Sequence, residues 1–363
     1  MPYRSPPWAF FPCGPSLPRG PSPLCAAPAT IMRHPMLPYA DSAAALKAAR
    51  SIIVTTHLGP DGDGIGTCLA LLLALERLGK EVRFLVPSKV NPVYTFLPSF
   101  DRLQVVDDLP LAQAQARADV IISCDAGDKE RLGAVWSVDR GLLINLDHHA
   151  TNTRFGDLNL VDIEGESSGV VASFLLKELG ATIDRDIATC LYTTIVYDTG
   201  RFMHSNTTPR CLRWTADLME VGIDASEINR RLTYTKTPKD LASQAIALQN
   251  LKVDEQEPRL AGIILDEATI TAAGDPDDWG DLVELPRSLL GNQVAFALRE
   301  KKQKDGTWVV RASMRSNPPY KIGDVAMSLG GGGHQQAAGA TIPGRMPEVA
   351  PMVIGKLRGV LGG

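Results

Sequence analysis

The stretch SIIVTTHLGPDGDGIGTCLALLLALERLG, residues 51–79, decides the fold of the N-terminal half of the chain. Its first six residues, 51–56, form a β-branched run of strand length. The turn-rich segment 59–64 follows, and the apolar pattern of residues 65–78 then predicts a helix that ends at Gly79. The order of strand, loop and helix is the repeating unit of an α/β fold.

Apolar runs of strand length continue this pattern at residues 81–86, 118–124 and 141–146. Near-continuous apolar strands are typical of a parallel sheet that is covered on both faces. Helices are predicted at 168–179 and 184–197. We therefore expect an α/β fold whose N-terminal part is a mostly parallel sheet with helices on both faces.

The C-terminal third of the chain has a different pattern. Residues 209–250 lack strand runs and predict a helical connector. Beyond residue 251, runs at 293–299 and 307–314 flank the turn Asp305-Gly306, which is a strong hairpin signal. A smaller α/β domain with an antiparallel hairpin is expected there.

Composition limits the classes of function that this chain can have. The 363 residues carry 37 Lys and Arg against 41 Asp and Glu, and the net charge of -4 offers no basic field for long nucleic acid. A nucleic-acid substrate is therefore expected to be short, with long duplexes excluded. No apolar run reaches the roughly 18 to 20 residues of a membrane span, so we expect no membrane partner. The six cysteines form no CxxC pair and predict buried thiols in a reducing cytoplasm.

Polar residues with metal-binding side chains follow the predicted strands. In an open α/β sheet the site lies beyond the carboxyl ends of the strands, so segments far apart in sequence meet at one edge. Each residue taken alone could be a helix cap or a turn, and their shared position at one edge favours a site. The residues concerned are His57, Asp61, Asp63, Asp125, Asp147, His148, His149 and Asp198.

Such a cluster of carboxylates and imidazoles predicts divalent metal ions. Neighbouring carboxylates repel one another, and they must take up protons or bind cations. The mixture of imidazoles and carboxylates without a nearby CxxC favours Mn²⁺, with Mg²⁺ or Co²⁺ behind it, over a structural zinc. A pair of ions can activate water and stabilise the leaving oxygen of a phosphoryl displacement, so the chemistry indicated is phosphoester hydrolysis.

A second constellation lies in the segment LGGGGHQQAAG, residues 329–339. Consecutive glycines allow a ligand to approach the backbone N–H groups, and the following residues could open a helix whose N-terminus favours anions. A phosphate or base cradle is expected here, with a flexible loop as the alternative. Arg315, Ser316 and His334 could add hydrogen bonds to a phosphate.

Five stretches of the chain together resemble one known family. HLGPDGDGIG (57–66), Asp125, DHHATN (147–152) and YDTGRF (197–202) resemble the four motifs of the DHH phosphoesterase superfamily. GGGGH (330–334) resembles the GGGH motif of its associated C-terminal domain. Within the family, the arrangement is most similar to the NrnA-type group of oligoribonucleases and pAp phosphatases. In motif one, Gly64 and Thr67 stand where Ala and Ser are frequent.

The resemblance implies a role for each matching residue. One Mn²⁺ would be held by His57, Asp61 and Asp125, and the other by Asp63, Asp125, His148 and Asp198. His149 would face the scissile phosphate, and Asp147 would orient His148. The residues expected to grip the nucleotide are Arg315, Ser316, Gly331, Gly332, Gly333 and His334.

Composition and patterning, together with the resemblance, divide the chain into four parts. They are a disordered, proline-rich extension at 1–38, which lies outside the resemblance, a metal-binding catalytic domain at 39–208, a helical connector at 209–250 and a substrate-binding domain at 251–363.

The function implied is that of a Mn²⁺-dependent phosphodiesterase. It would hydrolyse oligoribonucleotides of a few nucleotides to mononucleotides, and pAp to AMP, with short DNA not excluded. Two alternatives stay open: a phosphodiesterase for cyclic or linear dinucleotides, and, from another class, a nucleotide-sensing module without turnover. A homodimer is also left open by the sequence.

Overall fold

The computed structural model describes residues 37–107, 117–274, 279, 282–303 and 305–362. The predicted extension at 1–38 lies outside the described residues apart from its last two positions. Two six-stranded sheets organise the described part of the chain.

The first sheet is parallel throughout and has the strand order β3-β2-β1-β4-β5-β6. The four strands predicted from sequence are confirmed, each within one residue of its expected ends. Two short edge strands, β3 and β6, were not predicted. The strands are β1 (Ser51–Thr55), β2 (Glu81–Val86), β3 (Leu103–Val105), β4 (Ala118–Cys124), β5 (Arg140–Asp147) and β6 (Leu158–Val161).

Helices pack against one face of this sheet. Because successive side chains of a strand point to opposite faces, the apolar core is divided between the two faces. Ile52 and Val54 of β1 belong to the main apolar core with the helices, whereas Ile53 points into a smaller core on the opposite face. In the described part of the chain that second face is covered by the 3₁₀ segment Glu130–Ser137. The helices are α1 (Tyr39–Ala48), α2 (Gly62–Arg77), α3 (Ser168–Leu179) and α4 (Arg185–Asp198).

Helix α2 begins three residues earlier than the apolar pattern predicts. The Asp61 carboxylate caps it by accepting hydrogen bonds from the backbone N–H groups of Asp63 and Gly64. The turn-like DGDG sequence is thus the first turn of the helix, and its two aspartates sit at the helix start.

Three helices form the region predicted to be a helical connector. They are α5 (Pro209–Glu220), α6 (Ala225–Thr233) and α7 (Pro238–Gln249). Cys211 and Leu218 of α5 and Ile228 of α6 are buried in the main N-terminal core. Helices α5 and α6 therefore share the core of the first sheet. Helix α7 instead contributes Ala247 to a core of the second sheet.

The second sheet is mixed, with the order β11-β12-β10-β9-β8-β7. The predicted hairpin is confirmed: β9 and β10 pair antiparallel across the turn at Gly306. Its strands are β7 (Leu251–Val253), β8 (Leu260–Leu265), β9 (Val294–Lys302), β10 (Trp308–Ser316), β11 (Gly332–Gly333) and β12 (Ala337–Pro343). Its helices are α8 (Glu267–Ala272), α9 (Glu284–Arg287), α10 (Gly323–Ser328) and α11 (Met346–Gly362).

Glu300 of β9 ties two of these helices to the sheet. Its buried carboxylate accepts hydrogen bonds from the N–H groups of Glu267 and Met346, at the starts of α8 and α11. It also pairs with Arg345 at 2.8 Å. A single carboxylate thus satisfies donors from both helix starts.

The helix that the sequence suggested after the glycine run does not form. Residues 337–343 form β12, which pairs with β10 along seven positions, so the chain that follows the glycines continues the sheet. None of the described helices is both long enough and apolar enough to span a lipid bilayer.

Candidate active site

The candidate site lies where the strand order of the first sheet changes direction. β1 pairs with β2 on one side and with β4 on the other, which places a crevice beyond the carboxyl ends of β1 and β4. His57 follows β1, Asp125 follows β4, and Asp147 ends β5. Asp125 has a left-handed backbone, with φ of 55°, which aspartate tolerates better than most residues.

Three side chains form a first group of donors. His57 Nε2 lies 3.4 Å from Asp125 Oδ2 and 3.7 Å from Asp61 Oδ1. One nitrogen and two carboxylate oxygens from these residues lie within 4.8 Å of one another. This spacing suits a single ion.

A second group is centred on His148. Its Nε2 lies 2.8 Å from Asp198 Oδ2, 3.6 Å from Asp63 Oδ2 and 4.0 Å from Asp125 Oδ1. Asp125 therefore faces both groups, one oxygen toward each. The structure brings together all six residues that the sequence predicted as metal ligands.

The donor set fits divalent cations. Among the described residues, His148 Nε2 and Asp198 Oδ2 are buried atoms that lie 2.8 Å apart and for which no hydrogen bond is assigned. Buried polar atoms left in this way are costly unless another partner takes them up. An ion coordinated by both atoms would satisfy them.

The pKa shifts within the cluster also indicate a site for cations. Burial, followed by the charges of Asp125 and Asp198, raises the pKa of Asp63 well above its usual value. Burial and the charge of Asp61 likewise raise the pKa of Asp125. Burial opposes a charge on His57, but Asp125 and Asp61 outweigh it and raise its pKa to about 10. The carboxylates thus attract positive charge strongly, as protons or as metal ions.

The start of α3 also supports the acidic cluster, and this contribution was not predicted from the sequence. The backbone N–H groups of Ser168 and Gly169 donate to the Asp63 carboxylate at 2.7 and 3.2 Å. The Ser168 hydroxyl lies 3.3 Å from Asp125 Oδ1. A helix N-terminus favours negative charge, so α3 holds Asp63 in place and stabilises its ionised form.

The role expected for Asp147 is wrong in one respect. Its Oδ1 accepts a hydrogen bond from Nδ1 of His149 at 2.8 Å, so it orients His149 and not His148. The Nδ1 of His148 lies 3.1 Å from the carbonyl oxygen of Gly165. A backbone carbonyl carries no side-chain signal, which is why the sequence pointed to the wrong partner.

His334 of the second sheet reaches the same crevice. Its ring stacks on His149 with 4.7 Å between ring centroids and 17° between planes, and lies 5.6 Å from the His148 ring. Burial and the charges of the two histidines lower the pKa of His334 to about 4, so its imidazole is neutral at neutral pH. His334, at the end of the glycine-rich motif, therefore lies beside the acidic cluster.

The other residues predicted to grip substrate occupy different surroundings. Ser316 is only 2% exposed and donates its hydroxyl to the carbonyl oxygen of Tyr320, so it is not available to a ligand. Arg315 lies 3.4 Å from Glu284 in an ion pair. A Cβ at Gly331 or Gly333 would collide with the backbone of β12, so close packing of the strands requires these two glycines. Gly332 has open space beside it and can admit a ligand.

Arg131 is a further residue at the site that sequence reasoning missed. Its Nη2 lies 2.8 Å from Nδ1 of His57, which also lies 2.9 Å from the Leu58 carbonyl oxygen. Nδ1 can accept from the guanidinium or donate to the carbonyl, but not both. When an ion binds Nε2, the proton of the neutral ring lies on Nδ1. Nδ1 then donates to the Leu58 carbonyl oxygen, and the Arg131 guanidinium can bind an anionic ligand.

Two family profiles match the chain in the order of its two sheets. The DHH family, N-terminal domain, matches residues 51–195, and the DHHA1 domain matches residues 267–360. The first match contains every residue of the acidic cluster except Asp198, and the second contains the glycine run and His334.

Two relatives are similar to this chain over most of their length. The bifunctional oligoribonuclease and PAP phosphatase NrnA of Thermus thermophilus is 33% identical over 302 residues, which are 82% of this chain and 86% of that protein. The protein of the same name from Bacillus subtilis is 28% identical over 297 residues, which are 80% of this chain and 89% of that protein.

Solved structures share the fold. An exopolyphosphatase-related protein from Bacteroides fragilis matches with a TM-score of 0.79 at 24% identity, covering 89% of this chain and 97% of that one. RecJ from Thermus thermophilus, crystallised in complex with Mn²⁺, matches with a TM-score of 0.51 at 14% identity, covering 89% of this chain and 54% of RecJ. At these identities the two structures support the fold alone. With both domain matches and the relative from Thermus thermophilus in agreement, the chain belongs to the DHH family of metal-dependent phosphoesterases and carries a DHHA1 domain in its C-terminal part.

Proposed function

We propose that this chain hydrolyses oligoribonucleotides of a few nucleotides to mononucleotides and converts pAp to AMP, in both cases with Mn²⁺. The observation that carries the proposal is the position of Asp125 between two groups of metal-binding side chains, with His149 and His334 beside them. The substrate class is supported by the relatives that are named bifunctional oligoribonuclease and PAP phosphatase.

In this proposal two ions occupy the two donor groups. His57, Asp61 and Asp125 hold one, and the second is held by Asp63, Asp125, His148 and Asp198. When bound, such ions activate water for attack on phosphorus and offset the negative charge of the phosphoryl group. The protein contributes fixed ligand positions, through the cap at Asp61 and the N–H donors of α3 at Asp63.

His149 is the proposed catalytic histidine. Asp147 accepts a hydrogen bond from its Nδ1, which keeps a proton on that nitrogen and leaves Nε2 for the phosphoryl group. A histidine fixed in this way can stabilise developing charge or help the leaving oxygen. His334 stacks on the same ring and closes one side of the crevice. The proposed catalytic residues are therefore His149 and Asp125, with Asp147 orienting His149.

The second sheet supplies the proposed nucleotide contacts. His334 and Gly332 are the members of the predicted set with access to a ligand. Arg315 could join them once it leaves Glu284. We also propose that the chain divides functionally into the extension 1–38, a catalytic part 39–208, the helices of 209–250 and a substrate-binding part 251–363.

The net charge of -4 supports short substrates, because such a surface attracts long nucleic acid weakly. We further propose a cytoplasmic location, since Cys68, Cys124, Cys190 and Cys211 are buried and unpaired in the structure.

A substrate panel tests this function. Purified protein is mixed in one Mn²⁺ buffer with a 5′-phosphorylated diribonucleotide, pAp, and linear and cyclic diadenylate, and products are followed by chromatography. We expect mononucleotides from the diribonucleotide and AMP from pAp. The control is His148→Ala, which removes a proposed ligand and should abolish both reactions, as should EDTA.

The other outcomes separate the alternatives. Turnover confined to cyclic diadenylate would replace the proposal with the dinucleotide phosphodiesterase expected as an alternative from sequence. Tight nucleotide binding without any turnover, in protein with bound Mn²⁺, would favour the nucleotide-sensing module.

A further inference from the structure

A half-buried amide, that of Asn152, contacts the Asp147 carboxylate. Asn152 follows the DHH sequence on the loop after β5, and its Nδ2 donates to Asp147 Oδ2 at 2.5 Å. Among the described residues, Asn152 is the hydrogen-bond donor to Oδ2 of Asp147. The other oxygen, Oδ1, accepts from the N–H of His148 at 2.7 Å and from Nδ1 of His149 at 2.8 Å. The two oxygens thus have separate tasks.

Further hydrogen bonds fix the position of Asn152. Its Nδ2 lies 2.9 Å from Oδ1 of Asn145 and 3.1 Å from the carbonyl oxygen of Ala126. Its Oδ1 accepts from the N–H of Arg154 at 2.6 Å. Asn145 is fully buried in β5, and Ala126 follows Asp125 at the end of β4. Asn152 is therefore held between the ends of the two strands that carry the catalytic residues.

The two ends of this amide can be distinguished by what they do. Oδ1 closes a local turn by accepting from a residue two positions ahead, as asparagine does in many loops. Nδ2 donates outside that turn, to the Asp147 carboxylate and to the oxygens of Asn145 and Ala126. Loss of the oxygen would open the turn, whereas loss of the NH₂ group would remove the donor to Asp147 together with the hydrogen bonds to Asn145 and Ala126.

We propose that Asn152 is a positioning residue for His149, acting through Asp147. By satisfying Oδ2, it fixes the rotation of the carboxylate, so that Oδ1 meets Nδ1 of His149 in the plane of the ring. Without it, Asp147 would keep a buried oxygen without a donor and could turn away from His149. The inference rests on the proposed function, because it assigns to His149 a part in the reaction.

Asn152→Asp tests the NH₂ group alone. The substitution conserves size and keeps an acceptor for the Arg154 N–H, but it places an oxygen against Asp147. We expect kcat for the diribonucleotide to fall by about 10- to 100-fold, the usual range for partners of this kind, with KM changed by no more than about threefold. Mn²⁺ affinity, measured by titration of metal-stripped protein, should stay within about threefold of wild type, since Asp147 is not one of the proposed ligands.

Asn159→Asp is the matched control. Asn159 of β6 likewise uses both ends of its amide: Oδ1 accepts from the N–H of Gly156, Nδ2 donates to its carbonyl oxygen, and neither bond reaches the acidic cluster. It should keep wild-type kcat. If Asn152→Asp does not fold, Asn152→Ser gives the same test, because serine can close the turn but is too short to reach Asp147.

The proton on Nδ1 of His149 gives a second readout that does not require turnover. In the Mg²⁺-loaded protein its NMR resonance, assigned by its loss in His149→Gln, should lie far downfield because of the hydrogen bond to Asp147. It should move upfield or vanish in Asn152→Asp and stay in place in Asn159→Asp. Wild-type kcat together with an unmoved resonance in a folded Asn152 variant would overturn the inference. Failure of the wild-type protein to turn over any substrate would overturn the proposed function instead.

Discussion

Replacing the shared carboxylate, Asp125→Asn, should separate folding from metal binding. Asp125 is 3% exposed and lies 3.4 Å from His57 Nε2 and 4.0 Å from His148 Nε2, so it contributes to both donor groups. Asparagine has nearly the same size and accepts the left-handed backbone at this position. We expect the variant to fold and to lose the stabilisation that metal ions give.

The magnitude follows from ligand linkage. At a free metal concentration 100 times its Kd, one bound ion stabilises the folded state by about 2.7 kcal/mol. Unfolding entropy near 2.1 cal/mol/K per residue gives about 0.7 kcal/mol per degree for a chain of roughly 330 folded residues. Each ion should therefore raise Tm by about 4 °C, and two ions by about 8 °C. Asp125→Asn should lose most of this rise.

The metal-free variant should be at least as stable as the metal-free wild type. Burial and the charge of Asp61 raise the pKa of Asp125 in the folded protein. A group whose pKa is higher in the folded state destabilises that state at every pH where it must ionise, so at pH 8 the charge on Asp125 is unfavourable. Asparagine removes that charge.

Thermal unfolding of EDTA-stripped protein, with and without added MnCl₂, measures both effects. The control is Asp128→Asn, the same change three residues further along the loop, where the carboxylate accepts a hydrogen bond from the N–H of Arg131. It should keep the full metal-dependent rise. A Tm rise of wild-type size in Asp125→Asn would refute the shared-ligand assignment, and a metal-free Tm well below that of wild type would refute the electrostatic argument.

Two further predictions concern residues outside the ligand set. Burial alone would raise the pKa of Glu300, but its N–H donors and paired arginine keep it below the usual value. Its stabilising effect is therefore present above about pH 5 and lost as the pH falls through that lowered pKa. Glu300→Gln should lower the free energy of unfolding at pH 7 by about 1 to 3 kcal/mol, in urea titrations, and the difference from wild type should shrink as the pH falls through the lowered pKa of Glu300. Gly64→Ala should destabilise the protein by about 1 to 3 kcal/mol, because the added Cβ would lie 2.1 Å from Oγ1 of Thr56. Adding Thr56→Ala should recover most of that loss, and equal stability of the single and double variants would contradict the steric explanation.

The sequence predicted the first sheet and the acidic cluster because both depend on strong local patterns. β-branched runs mark buried strands, and histidines and aspartates at their carboxyl ends must converge once the strands are parallel. The edge strands β3 and β6 were missed because runs of three and four residues are too short to show a reliable pattern. The departure from the family at Gly64 was visible in sequence, but its reason, the Thr56 hydroxyl, is a tertiary contact.

The sequence could not predict the contacts that backbone groups make in the site, or the tertiary contacts that form only in the folded chain. The carbonyl of Gly165 and the N–H groups at the start of α3 orient His148 and Asp63, and neither depends on side-chain identity. Ser316 was misassigned because a serine at a strand end looks available, whereas the chain reversal at Tyr320 takes up its hydroxyl. The glycine run looked like the start of a helix, but its partner strand β12 lies immediately after it.

Both proposed activities are assigned to one acidic cluster. The most direct test is competition in Mn²⁺ buffer, with pAp as an inhibitor of diribonucleotide hydrolysis. A single site predicts competitive inhibition with a Ki equal, within about twofold, to the KM of pAp as a substrate. Hydrolysis of the diribonucleotide that continues unchanged in saturating pAp would contradict the assignment.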